Sequence, residues 1–504
     1  MTSKPPETNG QDHLNEHQVA ISQSIENSDH SNPLIEPSSW WHEIGRRIRL
    51  VPWWLRYNLG IAQEADLRNR IVQLSSSLGL DHKIVNKIVR HAVSEFSKRG
   101  LGADYYGYHN IDHELEVTFF TLLAAKGKDN QGRGFSQKDL VTLFIAALFH
   151  DYDPLKRFDK PNEDSIEKFI RNDHRIVQFI RELGISVDIV IALIYRTAYP
   201  FKGKIAEVSS KRIQELFSAA GIPENDSLTR KHYEDLGWFL SISDRIAGYS
   251  LGSFEHCKEL ARRNAHSLGW HPSVINTESV KYFTALKEEK EMFQRVFEGV
   301  PKEYRQNFSD NVMNFRQAWS KETEIRRSIR EKQLNLITSV EVTNLIDSHV
   351  IESLQSIYEE SHAPMRTTPK KFRKSLTDAD TILVTLRIDT KNGEVVGYAK
   401  GGYLENYKLR HGTHDDNFGQ RNTAYIESIC VKPDYWGETG GGRLRMAFHA
   451  EAKRRGCKFV TGYVHREVAI KRINSGENVE IIQKYNPDKL DYYRAHLDNL
   501  ILSV

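Results

Sequence analysis

The chain has 504 residues, a length that exceeds one ordinary hydrophobic core, so we expect two or three domains. Its 70 Lys and Arg residues against 67 Asp and Glu leave a net charge of +3, which gives no electrostatic reason to expect specific nucleic-acid binding. Its three cysteines form neither a paired disulfide pattern nor a zinc-binding spacing, as suits a reducing compartment. The sequence has no apolar run of bilayer-spanning length and no signal-peptide core, so we predict a soluble cytoplasmic protein.

The N-terminal part of the chain has two compositions. Residues 1–37 are rich in Ser, Asn, Glu, Pro and His and poor in large apolar residues, which predicts a disordered tail. Residues 38–62 form an amphipathic segment rich in Arg, with four tryptophans between Trp40 and Trp54. One interpretation is peripheral contact with a membrane surface. The other, which the shortness of the basic run favours, is packing of these tryptophans on the following domain.

A long helical pattern follows. From Leu67 to about Lys332, apolar residues recur every three or four positions, and clusters of Gly and Pro separate the segments. The sequence SQKD marks one helix start, with Ser136 as the N-cap and Asp139 three residues later. We therefore predict an all-helical domain at residues 63–314.

Histidines and aspartates are placed within this helical pattern at spacings that suit a metal site. His109 and His113 in YHNIDH are four residues apart and share one helix face. His150 and Asp151 end the apolar run LVTLFIAALF, and Asp244 lies in a third apolar helical stretch. Burying a His-Asp pair is costly unless a metal ion or another partner compensates it. Two histidines and two aspartates from three helices predict a divalent-metal site.

The sequences YHNIDH and FHDYD, with the later buried aspartate, resemble the HD-domain phosphohydrolases and, more narrowly, the cyclic-nucleotide phosphodiesterases. This resemblance implies that His113, His150, Asp151 and Asp244 bind one or two divalent ions of Mg, Mn, Fe or Zn, with Asp151 bridging two. The ions would activate a water molecule for attack on phosphorus. The resemblance also implies that His109 protonates the leaving oxygen of a nucleotide or another phosphoester substrate.

Several positions depart from that pattern or leave alternatives open. Pro154 stands where the phosphodiesterases carry a further histidine, so a cyclic-nucleotide substrate does not follow from the resemblance. Asp235 competes with Asp244 as the late ligand, and the more apolar surroundings favour the latter. Residues 163–164 in KPNEDSIEKF either polarise a nucleophile or begin a helix capped by Asn162, and the second interpretation is favoured.

The sequence pattern changes near Ile337. Residues 315–337 predict a charged helix, either the last of the helical domain or a rigid connector. The segments TILVTLRI, GEVVGYAKGGYL, TAYIESICV and KFVTGYVH then predict strands. An amphipathic helix ending at Gly456 lies between the last two strands. We predict an α/β domain of mixed α+β character at residues 338–504.

The turn VKPDYWGETGGGRL carries three consecutive glycines before that helix, which leaves backbone N–H groups open to an anion. This stretch and its order of elements resemble the GNAT N-acetyltransferases. The resemblance implies acetyl-CoA binding by eight residues: Val431, Trp436, Gly437, Glu438, Thr439, Gly440, Gly441 and Gly442. The family usually carries a basic or amide residue in place of Trp436 and a glycine in place of Thr439.

Glu427, on the preceding strand, matches a carboxylate that in many GNAT relatives deprotonates the amine, often through water. The alternative is an ordinary solvent-facing glutamate. The general-acid tyrosine of the family is not placed, although Tyr493 is one alternative. The predicted fold is therefore an all-α HD-like domain followed by a GNAT domain.

The predicted function is a bifunctional enzyme, in which a metal-dependent phosphohydrolase is joined to an acetyl-CoA-dependent N-acetyltransferase acting on an amine. An alternative is an acetyltransferase regulated by an HD domain that binds a nucleotide without turning it over. A third hypothesis is a scaffold in which the altered glycine loop no longer binds acetyl-CoA.

Overall fold

The computed structural model describes residues 63–98, 108–129, 134–153, 162–267, 272–359, 368–485 and 490–498. The predicted tail at residues 1–37 and the Trp- and Arg-rich segment at residues 38–62 lie outside the described residues. Pro154 also lies outside them. No helix among the described residues combines the length and apolarity that a bilayer-spanning helix needs.

The described part of the chain before residue 331 is helical. Its α-helices are α1 Gln63–Ser77, α2 His82–Lys98, α3 Ile111–Asp129, α4 Gln137–Leu148, α5 Glu163–Asn172, α6 His174–Glu182, α7 Val187–Tyr195, α8 Gly203–Ala219, α9 Ser227–Leu251, α10 Phe254–Ser267, α11 Ile275–Glu288, α12 Lys290–Gly299 and α13 Lys302–Arg330. The predicted helical region is thus confirmed in its secondary structure.

Local sequence explains where these helices begin and which of them are buried. Ser136 caps α4 by accepting from Asp139 N, and the Asp139 carboxylate accepts from Ser136 N, as the capping box predicts. Asn162 caps α5 through its side-chain oxygen, which confirms the helix start predicted there. From Asp139 to Leu148 every residue of α4 is buried, so this helix runs through the core and not along the surface.

The remainder of the described chain forms one seven-stranded sheet with four helices. The strands are β1 Leu336–Glu341, β2 Ile382–Ile388, β3 Val395–Tyr403, β4 Thr423–Val431, β5 Phe459–His465, β6 Val479–Gln483 and β7 Leu490–His496. The helices are α14 Ser348–Glu359, α15 Pro369–Leu376, α16 Gly440–Arg454 and α17 Arg466–Asn474. The strand order is β1-β2-β3-β4-β5-β7-β6, and only β4 and β5 pair in parallel.

The junction between the two regions differs in detail from the predicted connector at residues 315–337. A single helix, α13, crosses the boundary predicted at residue 315, and β1 begins at Leu336, inside the predicted connector. Phe308, Val312 and Phe315 of α13 are buried in the helical core. Further along α13, Ile325 and Ile329 pack against the core of the sheet region. The helix therefore belongs to both cores.

Candidate functional site

Three helices bring the predicted metal-binding side chains together. His113 lies in the first turn of α3, His150 and Asp151 directly follow α4, and Asp244 lies in the second half of α9. Helix α3 packs against both α4 and α9. The buried helix α4 therefore delivers its His-Asp pair to the point where α3 and α9 meet.

The four side chains converge on one point. His113 Nε2 lies 3.2 Å from Asp244 Oδ1 and 3.4 Å from Asp151 Oδ2. His150 Nε2 lies 3.3 Å from Asp151 Oδ2, 3.5 Å from Asp244 Oδ1 and 3.2 Å from His113 Nε2. Ligands of one tetrahedral ion with bonds of about 2.0–2.1 Å stand roughly 3.4 Å apart. These donors, two imidazole nitrogens and two carboxylates, therefore fit a divalent transition metal or magnesium.

Electrostatics in this cluster favour positive charge at its centre. Burial lowers the pKa of His113, but its hydrogen bonds with Asp151 and Asp244 outweigh burial and raise that pKa to about 9. Burial raises the pKa of Asp151, and the opposing attraction of His150 and His109 brings it well below its ordinary value. The two carboxylates are therefore ionised and hold protons on the histidines, a charge that a bound cation would replace.

A buried carboxylate behind the cluster orients one of its histidines. Glu114 Oε2 lies 3.0 Å from His150 Nδ1, and its side chain is fully buried. Ala147 O lies 2.8 Å from the same ring nitrogen. Both contacts favour a proton on Nδ1, which leaves Nε2 as the nitrogen that can bind a metal. Sequence reasoning missed Glu114, although an acidic residue directly after His113 in the first turn of α3 was the available signal.

His109 lies beside the cluster. Its Nε2 atom is 3.8 Å from Asp151 Oδ2, and its ring stands edge-on to Tyr108 at 4.9 Å. The His113 ring also lies 4.5 Å from Tyr108. This position suits a proton donor next to the bound ion better than it suits a further ligand.

A row of three tyrosines begins at Tyr249, five residues after Asp244 on α9. The rings of Tyr249 and Tyr282 lie 6.1 Å apart, and those of Tyr282 and Tyr199 lie 5.7 Å apart. The buried Arg245 donates to both carboxylate oxygens of Glu289. This arginine thus pairs with a carboxylate and is not an exposed residue of the helix surface.

The competing candidates have other contacts. Asp235 pairs with Lys231 and lies nine residues before Asp244 on α9, a rise of about 13 Å along the helix. Asp164 accepts a hydrogen bond of 2.5 Å from the Tyr195 hydroxyl.

The sheet region opens between its two parallel strands. Strands β4 and β5 pair only over Thr423–Ile426 and Phe459–Gly462. Beyond that point β4 continues along β3, and β5 continues along β7. The two strands therefore separate at Glu427, which leaves a cleft between their C-terminal halves.

Glu427 stands on a bulge at this separation. In the β3–β4 ladder Lys400 faces Ser428 and Gly401 faces Ile426, so Glu427 is the extra residue of β4. Its carboxylate forms an ion pair with the ammonium group of Lys400. The alternative of an ordinary solvent-facing glutamate is inconsistent with this pairing, because the Lys400 side chain is fully buried.

The turn predicted as a glycine loop precedes α16, but its three consecutive glycines already belong to the helix. The helix begins at Gly440, so Gly440, Gly441 and Gly442 form its first turn, and Thr439 is the left-handed N-cap with φ 61°. The first intrahelical bond runs from Arg443 N to Thr439 O. The three preceding N–H groups have no intrahelical acceptor, so they can still meet an anion. The loop proper is therefore shorter and more ordered than the sequence predicts.

The remaining predicted coenzyme residues form an ordered turn. Trp436 Nε1 donates a 2.7 Å hydrogen bond to Val431 O, and the indole packs against the helical core. Gly437 has φ 88°, a conformation that favours glycine. Glu438 pairs with Arg330 of α13 at 3.0 Å.

A groove of about 760 Å³ lies along the segment that joins β3 to β4. Ten residues line it: Glu405, Asn406, Tyr407, Lys408, Leu409, Thr413, His414, Asp415, Asp416 and Phe418. Burial and the nearby Glu427 raise the pKa of Tyr407 well above its ordinary value, which links this wall to the bulge. Tyr493, the alternative proton donor, is buried on β7.

Comparisons with known proteins address the sheet region. Residues 349–471 match the model of the Acetyltransferase (GNAT) family, so a GNAT acetyltransferase domain lies there. The match covers 123 of the 504 residues and none of the helical region. A comparison with curated proteins gives no match.

Two solved structures are similar to about a third of the chain. The PaiA N-acetyltransferase from Thermoplasma acidophilum in complex with coenzyme A shares 12% identity, covers 32% of this chain and 99% of its own, and has a TM-score of 0.24. The ribosomal-protein-S18-alanine N-acetyltransferase from Escherichia coli shares 15% identity, covers 33% and 100%, and has a TM-score of 0.23.

Proposed function

We propose that the sheet region transfers the acetyl group of acetyl-CoA to an amine. The match of residues 349–471 to the GNAT family supports this proposal most directly. The first-turn N–H groups of α16, from Gly440 to Gly442, bind the pyrophosphate of the coenzyme, where the positive end of the helix dipole adds attraction. The thioester then lies in the cleft where β4 and β5 separate.

The chemical step needs one base and one carbonyl. Glu427 takes a proton from the substrate ammonium group, directly or through one water molecule. The amine nitrogen attacks the thioester carbonyl, so that a C–N bond forms and the C–S bond breaks. The nitrogen loses its second proton as the amide forms, and the coenzyme leaves as a thiolate that takes up this proton. Lys400 keeps the carboxylate of Glu427 fixed at the bulge.

Acetyl-CoA binding and coenzyme release test this proposal. Titration calorimetry of the full chain with acetyl-CoA should show binding, and a thiol assay should show release of coenzyme A with some member of an amine panel. Glu427→Gln should bind acetyl-CoA normally and lose at least about 100-fold in kcat, the scale of general base catalysis. Absence of acetyl-CoA binding by the native chain would leave the scaffold hypothesis in place.

We propose as a second candidate function that the helical region is a metal-dependent phosphohydrolase acting on a nucleotide or another phosphoester. The observation that favours it is the convergence of His113, His150, Asp151 and Asp244 at distances of 3.2–3.5 Å. A bound divalent ion lowers the pKa of its water and supplies a nucleophile at neutral pH. His109 would donate a proton to the leaving oxygen.

Metal content and hydrolysis together test the second function. The purified chain should contain a stoichiometric divalent metal by elemental analysis, and it should hydrolyse at least one member of a panel of cyclic and linear nucleotides. Asp151→Ala should abolish both. A chain that binds metal and a nucleotide without consuming the nucleotide would instead support the regulated acetyltransferase.

A further inference from the structure

Helix α13 reaches the loop that precedes α16 with three cationic side chains. Lys321 pairs with Asp434, Arg326 Nε donates a 3.0 Å hydrogen bond to Trp436 O, and Arg330 pairs with Glu438 at 3.0 Å. These loop residues, from Asp434 to Glu438, lie directly before the first turn of α16. Each of the three contacts joins the helical region to the loop.

The charges of this loop make the contacts necessary for anion binding. Asp434 and Glu438 carry negative charge next to the proposed pyrophosphate position, and the Glu438 side chain is largely buried. The loop's own Lys432 pairs with Glu394 of the β2–β3 hairpin, 2.7 Å away. The coenzyme phosphates would therefore meet an uncompensated carboxylate if Arg330 did not neutralise it.

Arg326 fixes the shape of the same turn. Its guanidinium group is held by the buried Glu322, at 3.2 Å, and it anchors the carbonyl of Trp436. Asn276 Nδ2 donates a 2.6 Å hydrogen bond to Glu322 and so holds the carboxylate from the other side. The Trp436 carbonyl, which Arg326 anchors, directly precedes Gly437, whose positive φ turns the chain towards α16.

The helical region also packs beneath this turn. A methyl group added at Gly437 would lie 3.1 Å from Ser273 Cβ, in the segment before α11. The Trp436 side chain packs on the same side, against the helical core. The turn is thus held from below by packing and from the side by two arginines.

We propose that the acetyl-CoA site is built by both regions of the chain, with Arg326 and Arg330 of α13 as positioning residues for the pyrophosphate-binding loop. This inference rests on the proposed acetyl-CoA site. Arg326 sets the turn by holding the Trp436 carbonyl, and Arg330 cancels the charge of Glu438. Neither residue needs to touch the substrate amine or the reacting thioester.

Titration of the full chain with acetyl-CoA tests this inference. Arg326→Ala removes the cationic partner of the buried Glu322 and the donor to the Trp436 carbonyl, so acetyl-CoA affinity should fall roughly tenfold or more. Arg330→Ala should have a smaller effect, about threefold, because the Arg330 side chain is exposed and water screens its charge. Arg330→Glu should lose more acetyl-CoA affinity than Arg330→Ala does. The double variant Arg330→Glu with Glu438→Arg should recover most of the affinity that Arg330→Glu loses. Arg327→Ala, which removes an exposed cation from the same helix, should bind as the native chain does.

A truncated donor separates positioning from general damage. S-acetyl-pantetheine lacks the phosphates, so its use as acetyl donor should be equally efficient in the native chain, Arg330→Glu and Arg326→Lys. If a variant loses acetyl transfer from S-acetyl-pantetheine as much as from acetyl-CoA, the inference is overturned, because such a result would indicate a misfolded domain. Equal acetyl-CoA affinity in the native chain and all arginine variants would also overturn it. Failure of the native chain to bind acetyl-CoA would overturn the proposed acetyl-CoA site itself.

Discussion

The fully buried ammonium group of Lys400 forms an ion pair with the carboxylate of Glu427 at the bulge of β4. Lys400 also donates a 2.8 Å hydrogen bond to Ser375 Oγ at the end of α15. The lysine therefore joins the helix pair between β1 and β2 to the residue proposed as the catalytic base. Because a buried ammonium group needs a carboxylate partner, Glu427 is held in one position by the requirements of the core.

Replacing one partner of the Lys400–Glu427 ion pair should destabilise the fold. Glu427→Gln leaves the buried ammonium group without a charged partner and should lower the free energy of unfolding by about 2–4 kcal/mol. Lys400→Met combined with Glu427→Gln should recover most of that loss. Urea denaturation of the single and double variants measures the difference, and additive losses in the double variant would contradict the pairing.

Removal of metal should destabilise the helical region. A chelator should lower the melting temperature by several degrees, since a ligand that binds only the folded state stabilises it by mass action. Manganese or magnesium should restore it. Asp151→Ala should melt at one temperature with or without the chelator, and a chelator effect in that variant would place the metal elsewhere.

Glu114 should control metal affinity without binding the ion. Glu114→Gln weakens the partner of His150 Nδ1 and should lower metal affinity by about 10- to 100-fold. Glu116→Gln is the matched control, because Glu116 lies on the same buried helix and pairs with His256. Competition with a metal indicator measures both variants, and equal affinities would remove Glu114 from the site.

Glu322 predicts a pH dependence of stability. Burial raises the pKa of this carboxyl to about 7, from an ordinary value of 4.5, against the opposing attraction of Arg326. The folded chain then holds the proton more tightly than the unfolded chain, so this contribution to stability is full below pH 4.5 and is lost as the pH rises through 7. Glu322→Gln should therefore gain stability relative to the native chain between pH 5 and 8, as thermal unfolding can measure. An unchanged difference across that range would refute the assignment.

Gly441→Ala should separate stability from coenzyme binding. A methyl group there meets no atom within 4 Å, and alanine in a helix is favoured over glycine by about 0.5–1 kcal/mol. The variant should thus unfold at the same or a higher temperature. The same methyl group would obstruct close approach of a pyrophosphate to the helix terminus, so acetyl-CoA affinity should fall, and a rise or no change would argue against binding at this turn.

Local sequence signals predicted much of this architecture. The buried run of α4 and the capping box at Ser136 are encoded within a few residues, and so are the strands and the helix that follow Ile337. Strand β1 was missed, because LITSVE is short and follows directly on a charged helix. The convergence of the His and Asp side chains was inferred from residue types and a resemblance, not from any local rule.

Pairings between distant segments could not be predicted in the same way. Lys400 and Glu427 meet because a bulge adds one residue to β4, and no residue of TAYIESICV predicts that bulge. Arg326 and Trp436 meet because the charged helix, predicted as the last of the helical domain or as a rigid connector, packs on the glycine loop. Such contacts depend on how two elements pack against each other, and the hydrophobic periodicity of either element does not predict that packing.

The continuity of α13 has a consequence for how this gene can be rearranged. Asn311 of this helix binds the carbonyl oxygens of Tyr249 and Gly252 at the end of α9, while Arg326 and Arg330 hold the glycine loop. A recombination breakpoint between residues 302 and 330 would separate the helical region or the sheet region from the part of α13 that packs on it. A chimera that exchanges either region should therefore carry α13 and both of its contact surfaces together.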